Sequence, residues 1–376
     1  MRSIKYPIIS IIFLLAGSCI SPFIPEINET QEMVVVEGLI TDQPGINVVK
    51  LSRSVPLNKA YTSNPLKGCT VTINDDAGNT FTLSEISSGT YITDSPEFQG
   101  VIGRKYQLKI KINDSSSPNK NYESALIEMK PVPPIDSLYY KKVTLKQRED
   151  LTPVMQGCQV FLSTHDQSEI CKYYRWDYKE TWQFQLPYDV PNNICWISNN
   201  SSEINIKTTT SLSENRIEQF PITFISNKTD RLNKKYSLLV NQYSMNEDEY
   251  DYWSKLQSIF EETGSLYDIT PSSIIGNIYC IDDPGEEVLG YFSVSAKTSK
   301  RIFIKDYFAG LPNLYIKCPT DTVFNNDTIP GLNQTIWVIM TVDYAMPPYK
   351  VLTTTKTCAD CTARGSKIKP VFWEDD

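Results

Sequence analysis

Four groups of residues in this sequence have types and spacings that could do chemistry. Near the start, Ala16-Gly17-Ser18 lead into Cys19 behind a short apolar run, the junction at which a thiol takes up lipid once the preceding segment is cut away. Near the end, Cys358-x-x-Cys361 could be a redox pair, half a zinc site or disulfide partners. His165, the only histidine, sits beside Asp166 and two residues after Ser163. Carboxylates crowd at Glu247-Asp248-Glu249 with Asp251, at Asp282-Asp283 and at Glu286-Glu287.

Three of the four have plainer readings. Zinc needs four nitrogen or sulfur ligands; with one histidine and no second C-x-x-C they are not in the sequence. A redox pair needs a strand-to-helix setting, and this one lies in a polar C-terminal stretch. Structural disulfides are therefore expected, local or to Cys195 or Cys318. His165 lies in the polar turn sequence Asp166-Gln167-Ser168-Glu169, with no glycine-flanked nucleophile anywhere, so a Ser-His-Asp reading is disfavoured. The acidic groups match helix-start charge or turn chemistry, and the spaced acidic pattern of a calcium loop is missing. No catalytic residue, metal or cofactor is assigned, and the chain is expected not to be an enzyme.

Cys19 is the exception. Arg2 and Lys5 precede the run Ile8-Ile9-Ser10-Ile11-Ile12-Phe13-Leu14-Leu15, which is too short for a span of about 20 residues and suits a signal peptide. Residues 1–18 are read as that peptide and 19–32 as a lipidated tether. Ala16 stands where a lipoprotein signal usually has Leu, with Leu15 one place earlier. Thioether-linked diacylglycerol plus an amide-linked, palmitate-type chain would attach the protein stably, each buried methylene adding about 0.8 kcal/mol. Loss of the leader removes Arg2 and Lys5 and no acids, taking the formal charge from −8 to −10. That acidity excludes nucleic acid as an expected partner. Of nine cysteines eight then remain, an even number whose pairing the sequence leaves open.

The elements that carry these groups read as all-β. Met33–Ile40 and Asn47–Ser52 flank an Asp42-Gln43-Pro44-Gly45 turn, and short strands recur about every ten residues to Tyr106–Ile112, whose alternation is the cleanest in the chain. This predicts an immunoglobulin-like or transthyretin-like β-sandwich over 33–130. Pro131-Val132-Pro133-Pro134 marks a boundary, and 135–376 is expected to be a larger β-sandwich-type domain with one inserted helix near 246–262. Along Cys171–Phe184, Tyr174, Trp176, Tyr178, Trp182 and Phe184 share one face, which reads as core, with a stacking platform as the functional alternative. The other face reads as solvent-facing. The helix starts with Asn246 and Glu249 as a capping box, carries Trp253, Leu256 and Phe260 as a stripe and stops at Gly264. Trp176, Trp182 and Trp253 are the candidate binding aromatics.

Several motifs together resemble a known family. Val34-Val35-Val36-Glu37-Gly38-Leu39-Ile40-Thr41-Asp42 with Val49-Lys50-Leu51-Ser52-Arg53-Ser54, Tyr173-Tyr174-Arg175-Trp176-Asp177-Tyr178 with Glu180-Thr181-Trp182, and Gln242-Tyr243-Ser244-Met245 running into Tyr252-Trp253 carry it. Gly276-Asn277-Ile278, Val288-Leu289-Gly290-Tyr291-Phe292-Ser293 and Cys358-x-Asp360-Cys361 with Gly365 and Phe372-Trp373 extend it. The chain is similar to the Bacteroidota outer-membrane lipoproteins grouped as domain of unknown function 4249. The resemblance implies a lipid-anchored, β-rich protein of the outer membrane that works beside a TonB-dependent receptor in nutrient uptake; it carries over no catalytic residue and names no ligand. The expected role is a binding or docking accessory. Its rivals are an envelope hydrolase with a carboxylate site in the second domain and a purely structural envelope lipoprotein. Ile20–Ile27 holds one acid, Glu26, so the sequence does not choose between the periplasmic and surface faces.

Overall fold

The computed structural model describes residues 32–55, 64–93, 98–113, 119–145, 155–262, 274–306, 308, 318, 321–324, 336–341 and 350–374. The leader, Cys19, nearly all of the tether and Gly264 lie outside them. The described chain is mostly β, in several sheets. None of its helices is long and apolar enough to cross a membrane.

The first sheet is built from β1 (Val34–Thr41), β2 (Val48–Arg53), β3 (Asn64–Pro65), β4 (Thr70–Asp75), β5 (Thr80–Ser87), β6 (Thr90–Thr93), β7 (Lys105–Ile112), β8 (Lys120–Ser124) and β9 (Ile127–Glu128). The alternation read at Tyr106–Ile112 holds: Tyr106, Leu108, Ile110 and Ile112 are all buried. Two strands reach it from far along the chain, β17 (Ile278–Cys280) beside β8 and β18 (Val288–Ser295) parallel to β1. Ile278, Val288, Phe292 and Val294 fill the same core as Val34, Val36 and Ile40. The segment before Pro131 is thus not spatially complete by itself.

The path runs β17-β8-β7-β4-β5-β6-β2-β1-β18, so its ends are two strands adjacent in sequence, and the sheet nearly closes on itself. One side chain bridges the remaining gap. Asn277 Nδ2 donates to the Phe292 carbonyl at 2.9 Å, and Asn277 Oδ1 accepts from the Phe292 N–H at 2.9 Å. An amide side chain thereby reproduces the paired bonds of a β-ladder. The backbones pass so close there that a Cβ on Gly276 would lie 1.6 Å from the Gly290 carbonyl oxygen. Gly290 itself has φ +88°, a region costly to residues with a Cβ. Closure explains why both motifs are built around glycine.

The second body has two sheets sharing one core. In one, β10 (Ile135–Leu145) pairs with β11 (Met155–His165), and β11 with β15 (Arg216–Ser226). In the other, β12 (Tyr173–Gln185) lies between β13 (Ile194–Asn200) with β14 (Asn205–Thr208) on one side and β16 (Tyr236–Met245) on the other; β16 also pairs with β19 (Lys297–Ile304). The aromatic face of β12 is core, as its pattern predicts: Trp176 is 1% exposed and stacks on Phe220 of β15 at 4.5 Å between ring centres. A third small sheet joins β20 (Asp321–Phe324), β22 (Lys350–Thr355) and β21 (Ile336–Thr341).

The seam between the bodies is tied rather than hinged. Val132 packs against both cores. Gln242 Nε2 donates to the Pro133 carbonyl at 2.8 Å, and Ser244 Oγ to the Lys130 carbonyl at 2.6 Å. Ala296, fully buried, is the single residue between β18 of one sheet and β19 of the other. Over this seam lies helix α1 (Glu247–Glu262).

Candidate functional site

Helix α1 starts as its sequence predicts, with Asn246 Oδ1 accepting from the Glu249 N–H at 2.8 Å. Two tyrosines of its first turns then meet both bodies. Tyr250 packs on Tyr173 of β12 at 5.3 Å, and Tyr252 on Tyr291 of β18 at 4.9 Å between ring centres. The second face of β12, expected to meet solvent, is therefore covered at Tyr173 and Arg175. The reason is that the inserted helix folds back over the sheet that precedes it.

Between α1 and the outer surface of β1, β2 and β18 lies a groove of about 660 Å³. Val35, Leu39, Val48 and Leu289 line its sheet side, and Trp253, Leu256, Ile259 and Phe260 its helix side. Phe260 is 71% exposed and Val48 37%, so apolar surface faces solvent there. The sheet side is legible in the run Val34-Val35-Val36: with Val34 and Val36 in the core, Val35 must point outward, where it is half-buried under the helix.

Two polar groups sit at the head of this groove. Arg175 lines it, with its guanidinium carbon 4.7 Å from the Tyr243 ring centre and 4.9 Å from that of Trp253. Its Nε is buried without a hydrogen-bond partner, and it forms no ion pair with any described residue. Behind the lining residues Trp253 and Ser293 is Glu249, fully buried. Ser293 Oγ donates to Glu249 Oε1 at 2.6 Å and Trp253 Nε1 to the same oxygen at 3.3 Å, while Oε2 has no partner. Burial pushes the Glu249 carboxyl above its ordinary range, against the opposing pull of Arg175 and the two donors. The capping-box reading of Glu249 is thereby corrected: its side chain turns inward to Ser293 instead of back to Asn246. Burial, with Glu37 nearby, also pushes the Tyr252 hydroxyl up to about 12.

On the opposite side of β12 lies a polar hollow of about 580 Å³, lined by Tyr178, Glu180, Asn199, Glu203 and Arg231 among others. Glu180 Oε2 accepts from Arg231 at 3.0 Å and from the Tyr236 hydroxyl at 2.8 Å. The Tyr178 hydroxyl bonds Glu203 at 3.2 Å and Thr223 at 3.0 Å.

The structure separates the three candidate tryptophans. Trp176 and Trp182 are core, at 1% and 6% exposure, and only Trp253 lines the groove. His165 ends β11, its Nδ1 3.4 Å from an Arg216 nitrogen. Both oxygens of Asp166 are taken by the turn, Oδ1 by Ser168 and Oδ2 by the Ile170 and Cys171 N–H groups. The acidic pair after β17 is also structural: Asp282 accepts from the Asn121 N–H at 2.6 Å, and Glu286 holds Lys120 and the Tyr122 hydroxyl. Among the described residues no three His, Cys, Asp or Glu side chains gather as a metal site.

The candidate cysteines pair as Cys195–Cys361 and Cys318–Cys358, so the two halves of the C-x-x-C enter different bridges. The first staples the C-terminal segment to β13, where Trp196 and Ser366 exchange both backbone bonds at 2.9 Å. Cys69, Cys158, Cys171 and Cys280 stay free; burial pushes the Cys158 and Cys171 thiols up to about 12, which makes them unreactive. Arg175 and Glu249 are the residues that sequence reasoning missed as groove groups. The available signal was a cation set into an aromatic run opposite a helix rich in aromatics.

A family profile described as "Domain of unknown function (DUF4249)" matches residues 20–301. That span holds the whole groove, α1 and both bodies' main sheets up to the middle of β19. No curated protein matches the chain.

Proposed function

From a chain that belongs to the DUF4249 family no activity is inherited, and we propose that it is a lipid-anchored accessory protein of the outer membrane, of the Bacteroidota type, serving a TonB-dependent uptake system as a binding or docking component. The observation that carries this reading is the groove. It joins exposed apolar surface to a cation that forms no ion pair with any described residue, on a seam tied to both bodies, and such a surface marks recognition rather than packing. Cys19 would supply the tether, on either face of the membrane. The first body then acts as an immunoglobulin-like or transthyretin-like spacer, extended by β17 and β18, and the larger sandwich-type body carries α1 as one wall of the working face.

Two measurements test it. Cys19→Ser should release the protein from membranes, and continued tight attachment would refute lipidation. Detergent-solubilised outer membranes should yield a large β-barrel protein with the native chain at near-native expression; recovering none defeats the uptake role. A second reading, an envelope hydrolase, is favoured only by Glu180 and Glu203 lining the same polar hollow. Glu180 already has three donors, Asn199 at 3.4 Å besides Arg231 and Tyr236, which suits a structural carboxylate better than a reacting one.

A further inference from the structure

We propose that the groove between α1 and the outer face of β1, β2 and β18 binds a long-chain monocarboxylate. Its tail lies along Val35, Leu39, Val48, Leu256 and Leu289, and its carboxylate meets the Arg175 guanidinium. The proposal rests on taking the groove as the working face, and is independent of the anchor and of any transporter.

Four observations carry it. At about 660 Å³ the groove is of the size that takes one small amphiphile, and its walls are apolar along the length where a hydrocarbon would lie. A buried guanidinium nitrogen normally finds an acceptor; the Arg175 Nε is buried and unbonded, and Arg175 forms no ion pair with any described residue. A guanidinium flanked by the Tyr243 and Trp253 rings is held in position with its N–H donors left at its edge, the geometry that receives a carboxylate in two parallel bonds. The charge count selects a single negative charge. The lining carries two cations, Arg175 and Lys50, and one acid, Glu37, which stands directly across the β1–β2 pair from Lys50, so its formal charge is +1, with the Glu249 carboxyl behind Trp253. A monocarboxylate matches that single excess charge, whereas a phosphate dianion exceeds it.

The test uses the full chain carrying Cys19→Ser, in detergent-free buffer, titrated with decanoate and separately with decanol. One decanoate should bind per chain, and more tightly than decanol. Arg175→Gln should weaken decanoate at least tenfold, the loss expected for a charge-assisted bond, while changing decanol less than about twofold. Should Arg175→Gln fail to fold, Val48→Glu, at an exposed groove position among the tail contacts, should weaken decanoate and decanol alike, and unchanged affinity for both overturns the proposal. Absence of saturable decanoate binding overturns the proposal, as does equal affinity of the native chain for both probes, or an Arg175→Gln affinity for decanoate equal to the native one. Because the assay needs neither lipid nor receptor, failure here is distinct from failure of the uptake role.

Discussion

Strand β12 has two faces, and they treat charge in opposite ways. On the core-side face, Glu180 enters the second body with its needs met: Arg231, Tyr236 and Asn199 all donate to it. Five residues earlier, on the other face, Arg175 enters the groove between two rings and forms no ion pair with any described residue. Glu249, beside it, keeps one oxygen unbonded while fully buried. Buried polar groups without partners cost stability, so folds retain them where something else is gained. The contrast therefore marks one face of β12 as architecture and the other as a working surface. It also ranks what substitutions on each should do.

The largest effect belongs to the architectural face. Trp176→Ala removes a ring stacked on Phe220 and a bond from Nε1 to Gln242 at 2.8 Å, and should cost about 4 kcal/mol in denaturant unfolding. Trp253→Ala, the same change in the groove wall, should cost about 1 kcal/mol, because that ring is only half-buried, lining the groove beside Arg175. Similar costs at the two positions would erase the distinction between core and working face.

Arg231→Met comes next. It strands Glu180 in a site where that carboxylate is 8% exposed, and the expected loss is about 3 kcal/mol. Arg175→Met removes no ion pair with any described residue, so its unfolding free energy should stay within about 1 kcal/mol of native. Comparable losses for the two variants would mean that Arg175 is held by structure after all.

Much of this contrast was legible in the residues, and the limit falls where physics predicts. Period-two alternation assigns Trp176 and its neighbours to a core, because burial on one face leaves a regular mark along the strand. It says nothing about what covers the other face, since that depends on α1, which begins more than 60 residues beyond the end of β12. For the same reason Arg175 read as a solvent-side residue and Glu249 as a cap. Asn246 kept its predicted role because capping is local, needing only residues three apart. The joining of β18 to β1 was invisible: a parallel pair between residues some 250 apart in sequence leaves no local signature, and only the glycines at 276 and 290 hint at close backbones. The pairing of Cys195 with Cys361 is non-local in the same way.

The smallest effect is also the one whose sign differs. Glu249→Gln keeps an acceptor for Ser293 and Trp253 and removes a carboxyl that burial disfavours as an anion. Because its folded-state pKa is raised above the unfolded value of about 4.3, the folded chain binds this proton more readily than the unfolded chain does. The contribution of Glu249 to stability is complete below that unfolded value and is lost as pH rises through the folded one. The helix start and Arg175 favour the anion and moderate the loss, but do not reverse its direction. The variant has no such loss, so its melting temperature relative to native should be higher at pH 8 than at pH 4.5, whatever the offset between them at the acid end. A difference that stays flat across that range would mean Glu249 titrates normally, and that the groove's buried acid is as well satisfied as Glu180. Adding decanoate supplies a further check on the same pair. An anion seated on Arg175 cancels the positive charge that favours ionised Glu249, so the native melting temperature should respond to ligand more strongly at pH 6.5, where the probe is still an anion, than at pH 8, and the Glu249→Gln variant should show less of that slope.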